Sequence, residues 1–139
     1  MPIRFFSSDI DFVLDHPRKT SKWINETALK EKSTVKEVNY IFCSDDYLLT
    51  LNQDYLQHNT LTDIITFDYS LSKKELEGEI YISIDRVNEN AIKFKRSFED
   101  ELHRVIIHGV LHLIGYKDKK NADKALMRKK EEAYLSLRK

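Results

Sequence analysis

Residues 104–118 read Arg-Val-Ile-Ile-His-Gly-Val-Leu-His-Leu-Ile-Gly-Tyr-Lys-Asp, and this stretch restricts the fold more than any other part of the chain. Wound as a helix it is apolar on nearly every side after Arg104, which predicts a central helix backed by a sheet rather than a surface helix. Ser97, followed three residues later by Asp100, resembles a capping box that opens this helix. Gly115 can take the left-handed conformation that closes it and turns the chain back. Two histidines interrupt the run four residues apart. At about 100° per residue they leave the helix roughly 40° apart, so both rings can reach one ion. Burying two imidazoles among Val105, Ile106, Val110, Leu111 and Ile114 is unfavourable unless their ring nitrogens have partners, and a zinc ion supplies one to each. His108 and His112 are therefore candidate metal ligands. A catalytic zinc commonly keeps three protein ligands, and Asp118, just past the Gly115 turn, is the candidate third.

The pattern His-Gly-x-Leu-His-Leu-x-Gly-Tyr with a third ligand two residues later resembles the signature of the YbeY family, metal-dependent endoribonucleases of ribosomal RNA maturation. Upstream, Leu51-Asn52 through Tyr55 and then Thr62-Asp63-Ile64-Ile65-Thr66-Phe67 are similar to the family's stretch ending in Thr-Asp-Val-Leu-Ser-Phe. Gly78-Glu79-Ile80-Tyr81-Ile82-Ser83 is similar to its following Gly-Asp/Glu-Ile strand. The resemblance implies a single-strand-specific endoribonuclease working on the 3′ end of 16S ribosomal RNA and in ribosome quality control. RNA and the ribosome or ribosomal proteins are the partners it implies. Two positions depart from the family pattern. Its third ligand is usually a histidine, where this chain has Asp118, and its usual arginine just after Tyr55 is here Leu56. Two imidazoles and a carboxylate leave less positive charge at the metal than three imidazoles would, which lowers its Lewis acidity. An oxygen ligand also widens the choice of metal, so Zn2+ is expected with another divalent ion as the alternative. The role of the arginine does not carry over to Leu56; Arg104 and Lys117 are the replacements the sequence offers.

At 139 residues with 41% hydrophobic content, the chain can build one core, so residues 1–139 are expected to form a single metal-dependent hydrolase domain. One cysteine, Cys43, excludes an internal disulfide framework and suits a reducing compartment. The start Met-Pro-Ile-Arg-Phe-Phe lacks a secretory apolar core, so a cytoplasmic protein is expected. No apolar run approaches the roughly 20 residues that cross a bilayer, and no membrane partner is expected. The 23 basic and 23 acidic residues balance, so charge alone does not announce a nucleic-acid partner. Lys117 to Lys130, however, holds seven basic residues against Asp118 and Asp123. Such a patch could hold phosphates, or form a solvated helix face balanced by Glu131 and Glu132.

The rest of the chain predicts an α+β fold, a mixed sheet of about four strands with helices on its faces. Ile3 to Phe6 and Val38 to Cys43 read as strands, and Thr62 to Phe67 and Gly78 to Ser83 as two further, central ones. A helix is expected from Lys19 to about Lys32 with Trp23, Ile24 and Leu29 on its buried face. Ser44 is a plausible N-cap for another, running to about Leu56, with Leu48, Leu49, Leu51 and Tyr55 as its contacts. Asp85 to Phe94 reads as a short helix. Asn121 to Leu137 is the last, with Ala125, Leu126, Ala133, Tyr134 and Leu137 as its packing stripe. His103 is about 140° around from His108 and is structural or solvated on another face; His58 and His16 read as loop residues, and Cys43 as an apolar core residue.

In His-Glu-x-x-His peptidases the residue after the first histidine is the general base; here it is Gly109, which argues against peptide hydrolysis. For RNA cleavage, the metal polarises a phosphoryl oxygen and activates the attacking water. Asp63 and Glu79 lie on segments resembling the family's cleft-lining strands, where either is a candidate base or orienter of a ligand, or else a strand-end surface carboxylate. Arg104 is the candidate phosphate contact. Two other classes of function stay open: a metallohydrolase of another substrate, and a non-catalytic ribosome-associated protein that keeps its metal for stability.

Overall fold

The computed structural model describes residues 2–56 and 62–138. Along them the chain runs β1 (Ile3–Ser7), α1 (Pro17–Lys30), β2 (Thr34–Cys43), α2 (Asp45–Leu56), β3 (Ile64–Asp68), β4 (Glu75–Ser83), α3 (Ile84–Lys93), α4 (Phe98–Ile114) and α5 (Asn121–Leu137). The sheet has the order β1-β2-β4-β3. β1 and β4 pair parallel to β2, and β3 returns antiparallel to β4. This is the expected mixed four-stranded sheet in one α+β domain. One expectation is corrected: β3 sits at the sheet edge, not within it. Its β-rich composition reports burial on its two faces, against α4 and α2, and carries no information about neighbours along the hydrogen-bonding direction.

Strand alternation divides the side chains between two unequal layers. Val38, Tyr40 and Phe42 of β2 stand beside Gly78, Ile80 and Ile82 of β4 and face α4. On the opposite face Cys43 and Ile65 pack against Leu48 of α2 in a smaller cluster. The main core gathers α1, α3, α4 and α5 around that first face, with Ile106, Ile107, Val110, Leu111 and Leu113 wholly or nearly wholly buried. Each such side chain contributes about 1.5–3 kcal/mol, so α4 is held chiefly by packing. It also lies very close to the sheet. A Cβ on Gly109 would come within 2.9 Å of Ile80 Cγ2 and 3.1 Å of Ile64 Cδ1.

The helix ends follow the sequence signals. Ser97 Oγ accepts from Asp100 N–H at 3.1 Å to open α4, and Ser44 Oγ accepts from Tyr47 N–H at 3.1 Å to open α2. Gly115, at φ 126°, closes α4, and the N–H groups of Gly115 and Tyr116 both return to Leu111 O. Two packing stripes differ from expectation. In α1, Ala28 takes the buried place assigned to Leu29, which is 61% exposed. In α5 the buried stripe is Met127, Glu131 and Tyr134, while Leu126 and Leu137 face solvent. A hydrophobicity pattern overlooks that stripe because a glutamate belongs to it.

Candidate metal centre

One turn of α4 separates His108 from His112, and their rings meet edge to face with centroids 4.5 Å apart. The Gly115 turn brings Asp118 back to them, so that its Oδ2 lies 3.3 Å from His108 Nε2 and 3.1 Å from His112 Nε2. The three ligand atoms all fall within 4.8 Å of one another. Tetrahedral zinc with bonds of about 2.0–2.1 Å sets its ligand atoms roughly 3.3–3.4 Å apart. Two imidazole nitrogens and a carboxylate oxygen at this spacing fit a divalent transition metal. They do so at one end of a cleft of about 660 Å³ whose walls include Asp63, Thr66, Asp68, Arg104 and Lys119.

Behind the metal donors lies a charge network that the sequence reading did not find. Glu131 of α5, 4% exposed, accepts from His108 Nδ1 at 2.5 Å. A proton held on Nδ1 leaves the Nε2 lone pair facing Asp118, the tautomer a metal ligand needs. The same carboxylate accepts from Arg104 Nη1 at 3.1 Å. Arg104 also donates to the fully buried Glu101, from Nε at 3.1 Å and Nη2 at 2.5 Å, and its Nη2 stands 3.9 Å from Asp63 Oδ2. Burial opposes charge on Glu131, but the bonds from His108 and Arg104 outweigh it and hold its carboxyl below the usual range. Burial likewise opposes protonation of His108, and Glu131 reverses that and raises its pKa. His112 is pushed down, first by burial and then by His108. Asp63 is pushed up by burial, against the pull of Arg104 and His108.

The expected site residues thus divide. His108, His112, Asp118, Asp63 and Arg104 line one cleft. Glu79 does not join them, because strand alternation places it with Tyr81 on the α2 side of β4, where its Oε1 accepts from Tyr69 Oη at 3.0 Å. Lys117 is exposed beyond the turn, and Lys119 is the lysine that reaches the cleft wall. Of the carboxylates expected to balance the basic stretch, Glu132 is exposed but Glu131 is turned inward. His103 packs edge-on against Trp23 at 5.9 Å, and His16 caps α1 at φ 52°. Cys43 is fully buried and its thiol is pushed up to about 12, chiefly by that burial. His58 and the side chain of Leu56 lie outside the described residues. Glu131 was findable in principle: its spacing of four from Met127 and three from Tyr134 puts it on their helix face.

The turn that carries Asp118 is itself anchored. Glu31, just past α1, accepts from Tyr116 Oη at 2.5 Å, from Lys130 Nζ at 3.1 Å and from Tyr134 Oη. Burial raises the Glu31 pKa, but these three donors outweigh it and the net shift is downward. One carboxylate thereby joins α1 and α5 to a residue two positions before the third candidate ligand.

The model of the family described as endoribonuclease YbeY matches residues 6–138. A protein called endoribonuclease YbeY from Flavobacterium psychrophilum is 54% identical over 132 residues, covering 95% of this chain and 94% of its own. Its namesake from Cytophaga hutchinsonii is 53% identical over 137 residues, covering 99% and 96%. Among solved structures, the solution structure of a Thermotoga maritima protein superimposes with a TM-score of 0.67 at 30% identity, covering 98% of this chain and 88% of that one. With a matching family model across nearly the whole sequence and relatives above half identity, the chain belongs to the endoribonuclease YbeY family.

Proposed function

We propose that the protein is a metal-dependent endoribonuclease in ribosomal RNA processing, hydrolysing a phosphodiester in the cleft between β3 and α4. The reading rests on one observation above the others: His108, His112 and Asp118 converge at the end of a cleft that also holds Arg104 and Asp63. A divalent metal, zinc by preference, bound to those three residues would polarise a phosphoryl oxygen and acidify water. Glu131 keeps the Nδ1 proton of His108 and so fixes the ring for that role. Asp63, with its pKa raised by burial, is suited to take up and return a proton at its carboxyl. Arg104 is held by Glu101 and Glu131, so it presents a fixed positive charge at the cleft wall rather than a mobile phosphate clamp. Lys119 is the freer cation for a phosphate of the RNA backbone.

Residues 1–139 act as a single hydrolase domain in this reading, with a single-stranded segment near the 3′ end of 16S ribosomal RNA as substrate. The ribosome or its proteins would be the partners. A free, buried Cys43 is compatible with the reducing cytoplasm. The test is cleavage of single-stranded and structured RNA by protein of known metal content, with His112→Ala beside it. Cleavage that needs the metal and disappears in the variant supports the proposal. Stoichiometric metal without RNA cleavage overturns it in favour of a structural metal in a ribosome-associated binder.

A further inference from the structure

Where α1, α5 and the start of α4 meet, a second cavity opens that shares none of the residues lining the metal cleft. It has two lobes of about 530 and 290 Å³, and Lys19, His103 and Arg138 line both. Arg138 is the unusual member. It is 9% exposed, yet of its five N–H donors one makes a hydrogen bond among the described residues, from Nη2 to Thr20 Oγ1 at 3.1 Å. Its Nε is buried without a partner among the described residues, a state that native interiors avoid. Its guanidinium lies 6.0 Å from the Trp23 ring, against whose edge His103 also packs. Burial lowers the pKa of both Arg138 and His103, and Glu99 opposes the shift in each.

The remaining lining residues restrict what could sit there. The smaller lobe is walled by Phe12, Leu14, Phe98 and Leu102, an apolar surface. Four carboxylates each line one lobe only: Asp100 and Glu132 the larger, Asp15 and Glu99 the smaller. These carboxylates disfavour a polyanion spread over both lobes, whereas a single anionic head can sit at Lys19, His103 and Arg138, the basic residues common to the two; Arg96 lines the larger lobe and His16 the smaller. We propose that this cavity binds a small organic anion, its carboxylate or phosphate head on Arg138, Lys19 and His103 and its apolar or aromatic body against Phe12, Phe98 and Leu102.

Trp23 is the one tryptophan of the chain, and both His103 and Arg138 lie against its ring, so its emission reports on their surroundings. Benzoate, phenyl phosphate and inorganic phosphate should be titrated into the metal-loaded protein at constant ionic strength. The expected result is a saturable change in Trp23 emission with benzoate or phenyl phosphate, at least tenfold tighter than with inorganic phosphate. It should weaken at least tenfold in Arg138→Met and at least threefold in Lys19→Gln. Which of the two organic anions binds more tightly identifies the head group. An absent or unsaturable response, equal affinity for inorganic phosphate, or equal affinity in Arg138→Met overturns the assignment. Should Arg138→Met fail to fold, unchanged affinity in Lys19→Gln, whose side chain is exposed, overturns it.

Discussion

Glu131 bonds His108 and Arg104 from one carboxylate, so it governs a candidate metal ligand and a cleft cation together. Glu131→Gln keeps the shape but can present its amide N–H to His108 Nδ1, which favours the wrong tautomer. Metal affinity should fall about 10–100-fold, measured by chelator competition, while the far-ultraviolet dichroism stays unchanged. Asp63 makes the opposite case, a charge its surroundings disfavour. Its folded pKa is raised, so ionised Asp63 destabilises the fold at neutral pH, and the penalty disappears as pH falls through that value. Asp63→Asn should therefore raise Tm by a few degrees, equivalent to about 0.5–1 kcal/mol, while RNA cleavage drops by about 100-fold or more. A parallel loss of stability and activity would show that Asp63 is structural. The two residues also differ in how visible they were. Asp63 stands beside a strand pattern that marks it out, whereas Glu131 sits in the run Arg-Lys-Lys-Glu-Glu, where a buried acid looks like its solvated neighbours.

At the scale of elements, α4 and the turn after it carry the site, and both were readable because one periodicity serves packing and chemistry alike. The apolar positions that bury α4 fix the angle at which His108 and His112 leave it. The supports of that turn were less visible, since they run from Glu31 to Tyr116 and Tyr134 through contacts 85 to 103 residues apart in sequence. Glu31→Gln tests one of them. The substitution leaves Tyr116 and Tyr134 with a neutral acceptor and Lys130 without its ion pair, so the turn bearing Asp118 should loosen. Metal affinity should fall several-fold, read by the same chelator competition, with RNA binding retained. The strand register explains the misplaced carboxylate: Glu79 and Ile80 are neighbours in sequence and look out of opposite faces of β4.

For the whole molecule, acid is the sensitive direction. Glu31 and Asp45 both have folded pKa values below their ordinary ones, after burial is outweighed by Tyr116, Tyr134 and Lys130 in the first case and by Arg86 and Ser83 in the second. The stability each contributes is complete above the unfolded carboxylate range of about 3.9–4.3 and is lost as pH falls through the folded values. Denaturant midpoints should therefore drop as pH falls below about 4. Asp45→Asn should flatten that drop, and an unaltered profile would show that its bond to Arg86 contributes nothing. The general architecture was legible because strand and helix patterns follow one another distinctly, with caps at Ser44 and Ser97; which strand lies at the edge was not, because edge position is decided by partners far along the chain. The depth at which α4 rests on the sheet has a catalytic corollary. A Cβ at residue 109 would point into Ile80 and Ile64, so a glutamate placed there would be driven against the sheet. Tight seating of this helix thus disfavours any side chain at the position where a paired-histidine peptidase carries its base, leaving the proton-handling role to other groups of the cleft.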